Sequence, residues 1–254
     1  MDNIKPLDSS DLTKIIGKYT PFIKEVRKRV FFTLFVFAVA TLLGFAFYEE
    51  IIKVLLSALS LEGINIVFTS PFQFINLAIS CGVVTGVIVV MPIFIIQVLY
   101  FLKPALKRKE FRVVTKFLPF SIILFLIGFI FGAIIMKWQI EIFLDRAVSL
   151  GIGNILDISG LLTTVFLTSA LMGIGFQFPI VLLLLMRIGI IKQQQLSKHR
   201  RWVYLGSFIF ALLLPPDSIP ADIILSLPFI ILFEFTLILN TIFEKTKHNS
   251  NLVS

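Results

Sequence analysis

The chain has 254 residues, of which 57% are hydrophobic and 15% are charged, and its mean hydropathy is +0.99. These values exclude an ordinary soluble domain and indicate an integral membrane protein. The net charge of +8 would suggest nucleic acid in a soluble chain, but topology and anionic lipid headgroups explain it here, so we expect the lipid bilayer and no nucleic acid as partner.

Six apolar stretches follow one another along the chain. They are Val30–Tyr48, Phe74–Tyr100, Phe117–Met136, Leu161–Met186, Trp202–Leu214 and Ile223–Ile242. Because a helix needs about 20 apolar residues to cross a bilayer, the fifth stretch is short for a crossing. The second is long, and its Pro92 predicts a bend, a tilt or an extension past the membrane surface. Pro215, Pro216 and Asp217 predict a tight turn between the last two stretches.

Lysine and arginine fall into alternate gaps between these stretches. The successive flanking and intervening segments carry seven, one, six, two, five, zero and two basic residues. Since short basic loops stay cytoplasmic during insertion, both termini are predicted to be cytoplasmic. The fold predicted is an all-α integral membrane protein with six transmembrane helices, the last two short. We divide the chain into a cytoplasmic segment 1–29, a six-span domain 30–242 and a cytoplasmic tail 243–254.

Residues typical of enzyme and metal sites are sparse. His199 and His248 lie in basic segments without Cys, Asp or Glu at ligand spacing, and the single cysteine, Cys81, lies in an apolar stretch. Serines in the apolar stretches have no base nearby in sequence, and serine in apolar helices commonly bonds its own backbone. We therefore predict no enzyme, no metal site and no cofactor.

Three polar residues lie within or near the ends of apolar stretches. Glu234 interrupts the last stretch, where an acid costs about 2.5–3.5 kcal/mol on insertion scales, so it must face a partner or water, or carry a proton. Gln177 fits interhelical hydrogen bonding and a functional role equally well. For Gln97, near the end of the second stretch, the structural role is preferred. All three are candidates for partner docking inside the membrane.

Two acids stand among the basic residues of the predicted cytoplasmic segments. Glu25 lies in the run from Lys24 to Arg29, and Glu110 follows Lys109. A lone carboxylate among cations is usually a local ion-pair partner of small energetic value. A carboxylate also accepts a guanidinium through two parallel hydrogen bonds, so two acids on one membrane face could each bind one arginine of a paired-arginine ligand.

The segment from residue 91 to residue 112 resembles a known family. It contains a proline, a glutamine, a Phe-x-x-Pro-x-Leu motif and an acid followed by an arginine, at Pro92, Gln97, Phe101, Pro104, Leu106, Glu110 and Arg112. This pattern resembles the TatC family, the receptor subunit of the twin-arginine protein translocase. Further similar motifs keep the family order, at Glu25–Arg29, Phe68–Pro71, Phe129–Gly132, Gly175–Pro179 and Pro215–Asp217.

The resemblance implies a receptor that binds twin-arginine signal peptides of folded precursors at the cytoplasmic face. It also implies single-span partners of the TatA and TatB type, a homo-oligomer within the receptor complex, and transport driven by proton-motive force. The implied signal-peptide-binding residues are Glu25, Arg27, Arg29, Phe101, Glu110 and Arg112. The implied polar points for small-subunit docking or for a signal-peptide groove are Gln177, where some relatives carry Glu, and Glu234.

Two alternatives remain open on the sequence. One is a small proton-coupled secondary transporter with Glu234 as the coupling acid, although paired inverted halves are missing from the sequence pattern. The other is a membrane-bound assembly factor without signal specificity. The composition, rich in Phe, Ile and Lys, suits an AT-rich genome, and we expect the inner (cytoplasmic) membrane of a bacterium, with an organellar membrane as the alternative.

Overall fold

The computed structural model describes residues 9–59, 65–67, 70–102, 118–151, 155–215 and 218–252. This part of the chain forms nine helices and two three-residue strands. The elements in chain order are α1 (Ser9–Ala46), α2 (Tyr48–Leu59), β1 (Asn65–Val67), α3 (Pro71–Leu102), α4 (Leu118–Ser149), β2 (Ile155–Asp157), α5 (Ile158–Gly175), α6 (Phe178–Ile188), α7 (Gln193–Lys198), α8 (Arg200–Leu212) and α9 (Ile219–Leu252).

The predicted helical membrane architecture is confirmed. Within the described residues, five segments are long and apolar enough to cross a bilayer: Lys24–Ala46, Phe72–Val98, Pro119–Ser149, Ile158–Met186 and Ile219–Ile242. The chain is therefore a multi-pass membrane protein. The predicted fifth stretch forms α8, whose 13 residues rise about 20 Å, less than the roughly 30 Å of hydrocarbon. The count of six spans and the side of the termini stay predictions.

The last helix is longer than the sequence reading allowed, so the prediction of a short final span is wrong. Helix α9 has 34 residues because it begins at Ile219 and continues past Ile242 into the polar tail. Pro220 lies in its first turn, where a missing N–H breaks no helical hydrogen bond. Helix α3 continues through Pro92, and its 32 residues are long enough to extend past the hydrocarbon at one end.

The predicted fourth span is divided into two helices. Helix α5 starts at a capped N-terminus, where Asp157 accepts hydrogen bonds from the backbone N–H groups of Ser159 and Gly160 at 3.1 Å. It ends at Gly175, and α6 begins at Phe178 with Pro179 in its first turn. The turn between them carries Phe176 and Gln177.

Close contact between α1 and α3 depends on a glycine. A Cβ atom added at Gly82 would lie 2.7 Å from the backbone oxygen of Thr41, a separation that no side chain tolerates. Small residues allow such close approach of helices in membranes, and these two helices form the most extensive helix pair of the fold. The contact fixes the register in which the polar residues of α1 meet the end of α3.

A short parallel sheet joins two connections at the other end of the molecule. Strand β1 pairs with β2 in the register Asn65–Ile155, Ile66–Leu156 and Val67–Asp157. The pairing ties the segment before α3 to the segment before α5. These six residues are the small departure from the predicted all-α fold within the described ranges.

The interior between α4, α5 and α9 is filled by aromatic and aliphatic side chains. Phe176 is 4% exposed and contacts the rings of Phe131 and Phe229, with ring centroids 6.0 and 5.8 Å apart. Such tilted and edge-on pairs are the favoured aromatic geometries. This packing holds the turn at Gln177 in a fixed position beside α4.

Candidate functional site

Four of the residues proposed from the sequence meet where α1 lies against the end of α3. Arg29 forms an ion pair with Glu25, one helical turn before it on α1. Its Nη1 also donates a hydrogen bond to the backbone oxygen of Gln97 on α3, at 2.6 Å. The guanidinium carbon lies 5.7 Å from the ring centroid of Phe101, within the range of a cation–π contact. With Thr33, these residues are the α1–α3 cluster.

Helical spacing explains why these side chains converge. Glu25, Arg29 and Thr33 are separated by four residues and share one face of α1, as Gln97 and Phe101 share one face of α3. The Thr33 hydroxyl lies 2.8 Å from Gln97 Oε1 and 2.9 Å from the backbone oxygen of Arg29. The hydroxyl therefore links the two helices one turn further along α1 than the ion pair.

The cluster is open at its outer side. The Glu25 side chain is 51% exposed and that of Arg29 is 24% exposed. An ion pair this open to solvent is worth about 0–1 kcal/mol, so its partners exchange easily. The cluster thus offers a carboxylate, a carbonyl oxygen and an aromatic face to a guanidinium, at a place that a ligand can reach.

Glu234 lies in a second polar group, between α8 and α9. Tyr204 donates its hydroxyl proton to Glu234 Oε1 at 2.6 Å, and Arg200 Nη1 lies 3.4 Å from Oε2. The carboxylate faces a cation and a hydroxyl donor, which is the partner arrangement that an acid in a membrane helix requires. We call Arg200, Tyr204 and Glu234 the α8–α9 triad.

Gln177 is buried and hydrogen-bonded to a neighbouring helix. Its Oε1 accepts from the hydroxyl of Ser121 at 2.5 Å, and its Nε2 lies 3.2 Å from the backbone oxygen of the same serine and 3.4 Å from that of Gly173. The side chain is 5% exposed. These contacts agree with interhelical hydrogen bonding, which is one of the two roles that the sequence allows for Gln177.

An apolar groove of about 640 Å³ opens between α3 and α8. Hydrophobic side chains of five helices form almost all of its lining. The lining includes Phe94, Val98, Gln177, Val181, Trp202, Val203, Phe210 and Phe229. We call it the α3–α8 groove. Of these residues the sequence analysis proposed only Gln177. It missed the apolar ones, because an apolar side chain that lines a groove has the same pattern as one that faces lipid.

Comparison with known proteins identifies the family to which the chain belongs. The family model described as Sec-independent protein translocase protein (TatC) matches residues 21–228. The chain belongs to the TatC family. The resemblance read from the sequence is therefore confirmed, and the chain is a core subunit of the Sec-independent twin-arginine translocase.

Relatives and solved structures cover most of this TatC chain. TatCy of Bacillus subtilis (strain 168) is 27% identical over 225 residues, which are 86% of each chain. TatC of Aquifex aeolicus (strain VF5) is 24% identical over 235 residues, 90% of this chain and 96% of that one. A crystal structure of a twin-arginine translocase receptor, TatC, in DDM matches with a TM-score of 0.76 at 23% identity, over 85% of this chain and 98% of that chain. The two proteins thus share a fold over nearly the whole length of the crystallised TatC.

The structure gathers some of the candidate residues of this TatC chain and separates others. Glu25, Arg29, Gln97 and Phe101 form one group, so Gln97 belongs with the first site and not with the intramembrane pair. Arg27 is exposed, two residues from Glu25 and therefore on a different side of α1. Pro215 lies just beyond α8. The remaining candidates lie outside the described residues: Pro104, Glu110, Arg112, Pro216 and Asp217.

Proposed function

We propose that this TatC chain binds the arginines of twin-arginine signal peptides through the α1–α3 cluster. The observation that carries the proposal is the environment of Arg29, whose guanidinium contacts a carboxylate, a backbone oxygen and an aromatic ring. These three groups recognise a guanidinium through charge, directed hydrogen bonds and its flat face. Glu25 is the acid of the site within the described residues, and Arg27 contributes to its rim.

The orientation proposed is six spans with both termini in the cytoplasm. The end of the molecule where α1 meets the end of α3 is also the end where α8 begins, and the segments there carry most of the basic residues. Positive loops remain cytoplasmic, which puts the α1–α3 cluster on the side where precursors arrive. In this arrangement α8 is the fifth and shortest span, and the β1–β2 sheet lies on the opposite side.

The apolar core of the signal peptide occupies the α3–α8 groove in this proposal. Phe94 and Val98 of α3 line the groove, and Gln97 lies between them in sequence, on the face that joins α1. A peptide whose arginines sit at the cluster therefore reaches the groove within about one helical turn of α3. Glu110 and Arg112 complete the arginine site in the proposal, on the segment that follows α3.

The α8–α9 triad and Gln177 are the proposed polar points for single-span subunits of the TatA and TatB type or for the signal-peptide groove. Glu234 is about one-third exposed, so part of its carboxylate faces outward from the pair of helices. In the structure this carboxylate contacts the Tyr204 hydroxyl and the Arg200 guanidinium. The match to the TatC family disfavours the alternative of a proton-coupled transporter.

Site-specific photocrosslinking tests the signal-peptide proposal. A photoreactive phenylalanine analogue replaces Phe101 in the full chain in membrane vesicles, and a twin-arginine signal peptide is added. Phe72 is the matched control position, because it is also an exposed phenylalanine of α3 but lies at the other end of the helix. We expect crosslinks at 101 that disappear with a twin-lysine peptide, and none at 72. Equal crosslinking of both peptides at 101 would refute the proposal.

A further inference from the structure

We infer that Arg29 is an internal competitor for the arginine site, and that a signal arginine binds by displacing it. The inference rests on the proposed function and assigns Arg29 an affinity-setting part in it. In the structure the guanidinium of Arg29 holds the three contacts that an incoming arginine requires: the Glu25 carboxylate, the Gln97 backbone oxygen and the Phe101 ring. The site is thus filled by the protein's own side chain.

Exchange of one guanidinium for another preserves the chemistry of the site. The contact with Glu25 is open to solvent, and exposed ion pairs of this kind are worth about 0–1 kcal/mol, so breaking this contact costs little. The hydrogen bond to Gln97 and the contact with the Phe101 ring are lost by Arg29 and remade by the ligand arginine. Arg29 is also only partly buried, and its long side chain can swing outward from α1. A ligand arginine forms the same hydrogen bonds and the same contact with the aromatic ring that Arg29 loses.

A ligand lysine does not gain these contacts. Its ammonium is a compact charge without a planar fork, so it matches the carboxylate and the ring less well than the guanidinium that it must replace. The site itself therefore prefers the arginine peptide. Displacement of Arg29 costs the same free energy for either peptide, so the competition lowers both affinities by one factor and raises the peptide concentration at which each binds.

The helices stay together when Arg29 leaves. The Thr33 hydroxyl still reaches Gln97 Oε1 at 2.8 Å, and the glycine contact at Gly82 still joins α1 to α3. The cluster is thus held by groups that do not take part in the exchange. A substitution at position 29 consequently tests competition more than it tests folding.

The experiment compares Arg29→Gln with Lys28→Gln in the full chain reconstituted in nanodiscs. Lys28 is the neighbouring exposed cation of α1, so both variants lose one positive charge near the site. Dissociation constants are measured for a labelled twin-arginine peptide and for its twin-lysine form. Relative to Lys28→Gln, we expect Arg29→Gln to bind the twin-arginine peptide about three-fold more tightly, the scale of one exposed ion pair. The twin-lysine peptide should gain by the same factor, because displacement of Arg29 costs the same for either ligand.

A second measurement uses the unaltered protein and does not depend on a variant. An arginine-selective dicarbonyl reagent is applied with and without saturating twin-arginine peptide, and modification of Arg29 is followed by mass spectrometry. Displacement predicts faster modification of Arg29 in the presence of the peptide. Slower or unchanged modification, or weaker peptide binding by Arg29→Gln than by Lys28→Gln, would overturn the inference.

The failure of this inference and that of the proposed function give different results. If the unaltered protein does not distinguish the twin-arginine from the twin-lysine peptide, the proposed function fails. If it distinguishes them and Arg29→Gln binds both peptides as Lys28→Gln does, the receptor role stands and only the competition fails.

Discussion

The Thr33 hydroxyl on α1 lies 2.8 Å from the side-chain oxygen of Gln97 on α3, across 64 positions of sequence. This contact lies one helical turn below the Glu25–Arg29 ion pair and sets the separation of the two helices beneath it. This contact therefore determines whether the Glu25 carboxylate and the Phe101 ring lie close enough to contact the same guanidinium.

Removal of the Thr33 hydroxyl should loosen the site. Thr33→Val keeps the shape of the side chain but leaves Gln97 Oε1 without this donor, and loss of such a hydrogen bond costs about 1 kcal/mol. We expect a lower midpoint of thermal unfolding and weaker binding of the twin-arginine peptide. Thr164→Val is the control, because the Thr164 hydroxyl bonds to Gly160 within its own helix. An equal effect of both variants on peptide binding would argue against the linking role of Thr33.

A methyl group at Gly82 should separate α1 from α3. Gly82→Ala places a Cβ 2.7 Å from the Thr41 backbone oxygen, which cannot move out of the way as a side chain can. Overpacking of this kind costs about 1–3 kcal/mol, so we expect a clear loss of thermal stability. Gly206→Ala is the matched control, since a Cβ there meets no atom within 4 Å. Unfolding midpoints of the two variants in the same detergent check the prediction, and equal midpoints would contradict it.

Gln177 and Ser121 should be energetically coupled. Either Gln177→Leu or Ser121→Ala removes the hydrogen bond between the side chains, so the double variant should lose less stability than the sum of the two single losses. Interhelical hydrogen bonds in membrane proteins contribute about 0.6 kcal/mol on average and up to about 1.7, and we expect the upper part of this range because both residues are buried. A double-mutant cycle of unfolding free energies measures the coupling, and strict additivity would show that the contact is not formed.

The charge of Glu234 should matter for partners more than for the signal peptide. Glu234→Gln keeps an acceptor for the Tyr204 hydroxyl but removes the ion pair with Arg200. We expect reduced co-purification of TatA- or TatB-type subunits and a change of less than about two-fold in peptide affinity, because an exposed ion pair contributes little. Tyr204→Phe serves as the control that keeps the charge. Loss of peptide binding with full retention of the subunits would place Glu234 in the signal-peptide site instead.

Much of the fold was predictable because long apolar stretches and alternating basic segments report directly on membrane helices. The sequence did not reveal the division of the fourth span at Gln177, since a proline such as Pro179 fits a bend in one helix as well as the first turn of a new one. The extension of α9 was also missed, because polar residues after Ile242 suggest the end of a span and not the continuation of a helix. Strands of three residues carry no periodicity to read.

Four residues of the α1–α3 cluster were candidates from the sequence, but the contacts between them were not predicted. Glu25 and Arg29 stand one helical turn apart, so their ion pair follows from spacing alone. The contact of Arg29 with Gln97 spans 68 positions and depends on the register set at Gly82, which no local pattern encodes. For this reason Gln97 was grouped with Gln177 and Glu234, although the structure places it in contact with Arg29 and Thr33.

The most direct test of the receptor account is the affinity of the full chain in nanodiscs for twin-arginine and twin-lysine signal peptides, before and after Glu25→Gln. Glu49→Gln, an exposed acid of α2, controls for the change in net charge. The account predicts that the unaltered protein and Glu49→Gln prefer the arginine peptide, and that Glu25→Gln loses much of this preference, by about three-fold, the scale of one exposed ion pair. An undiminished preference in Glu25→Gln would contradict the assignment of the α1–α3 cluster as an arginine site.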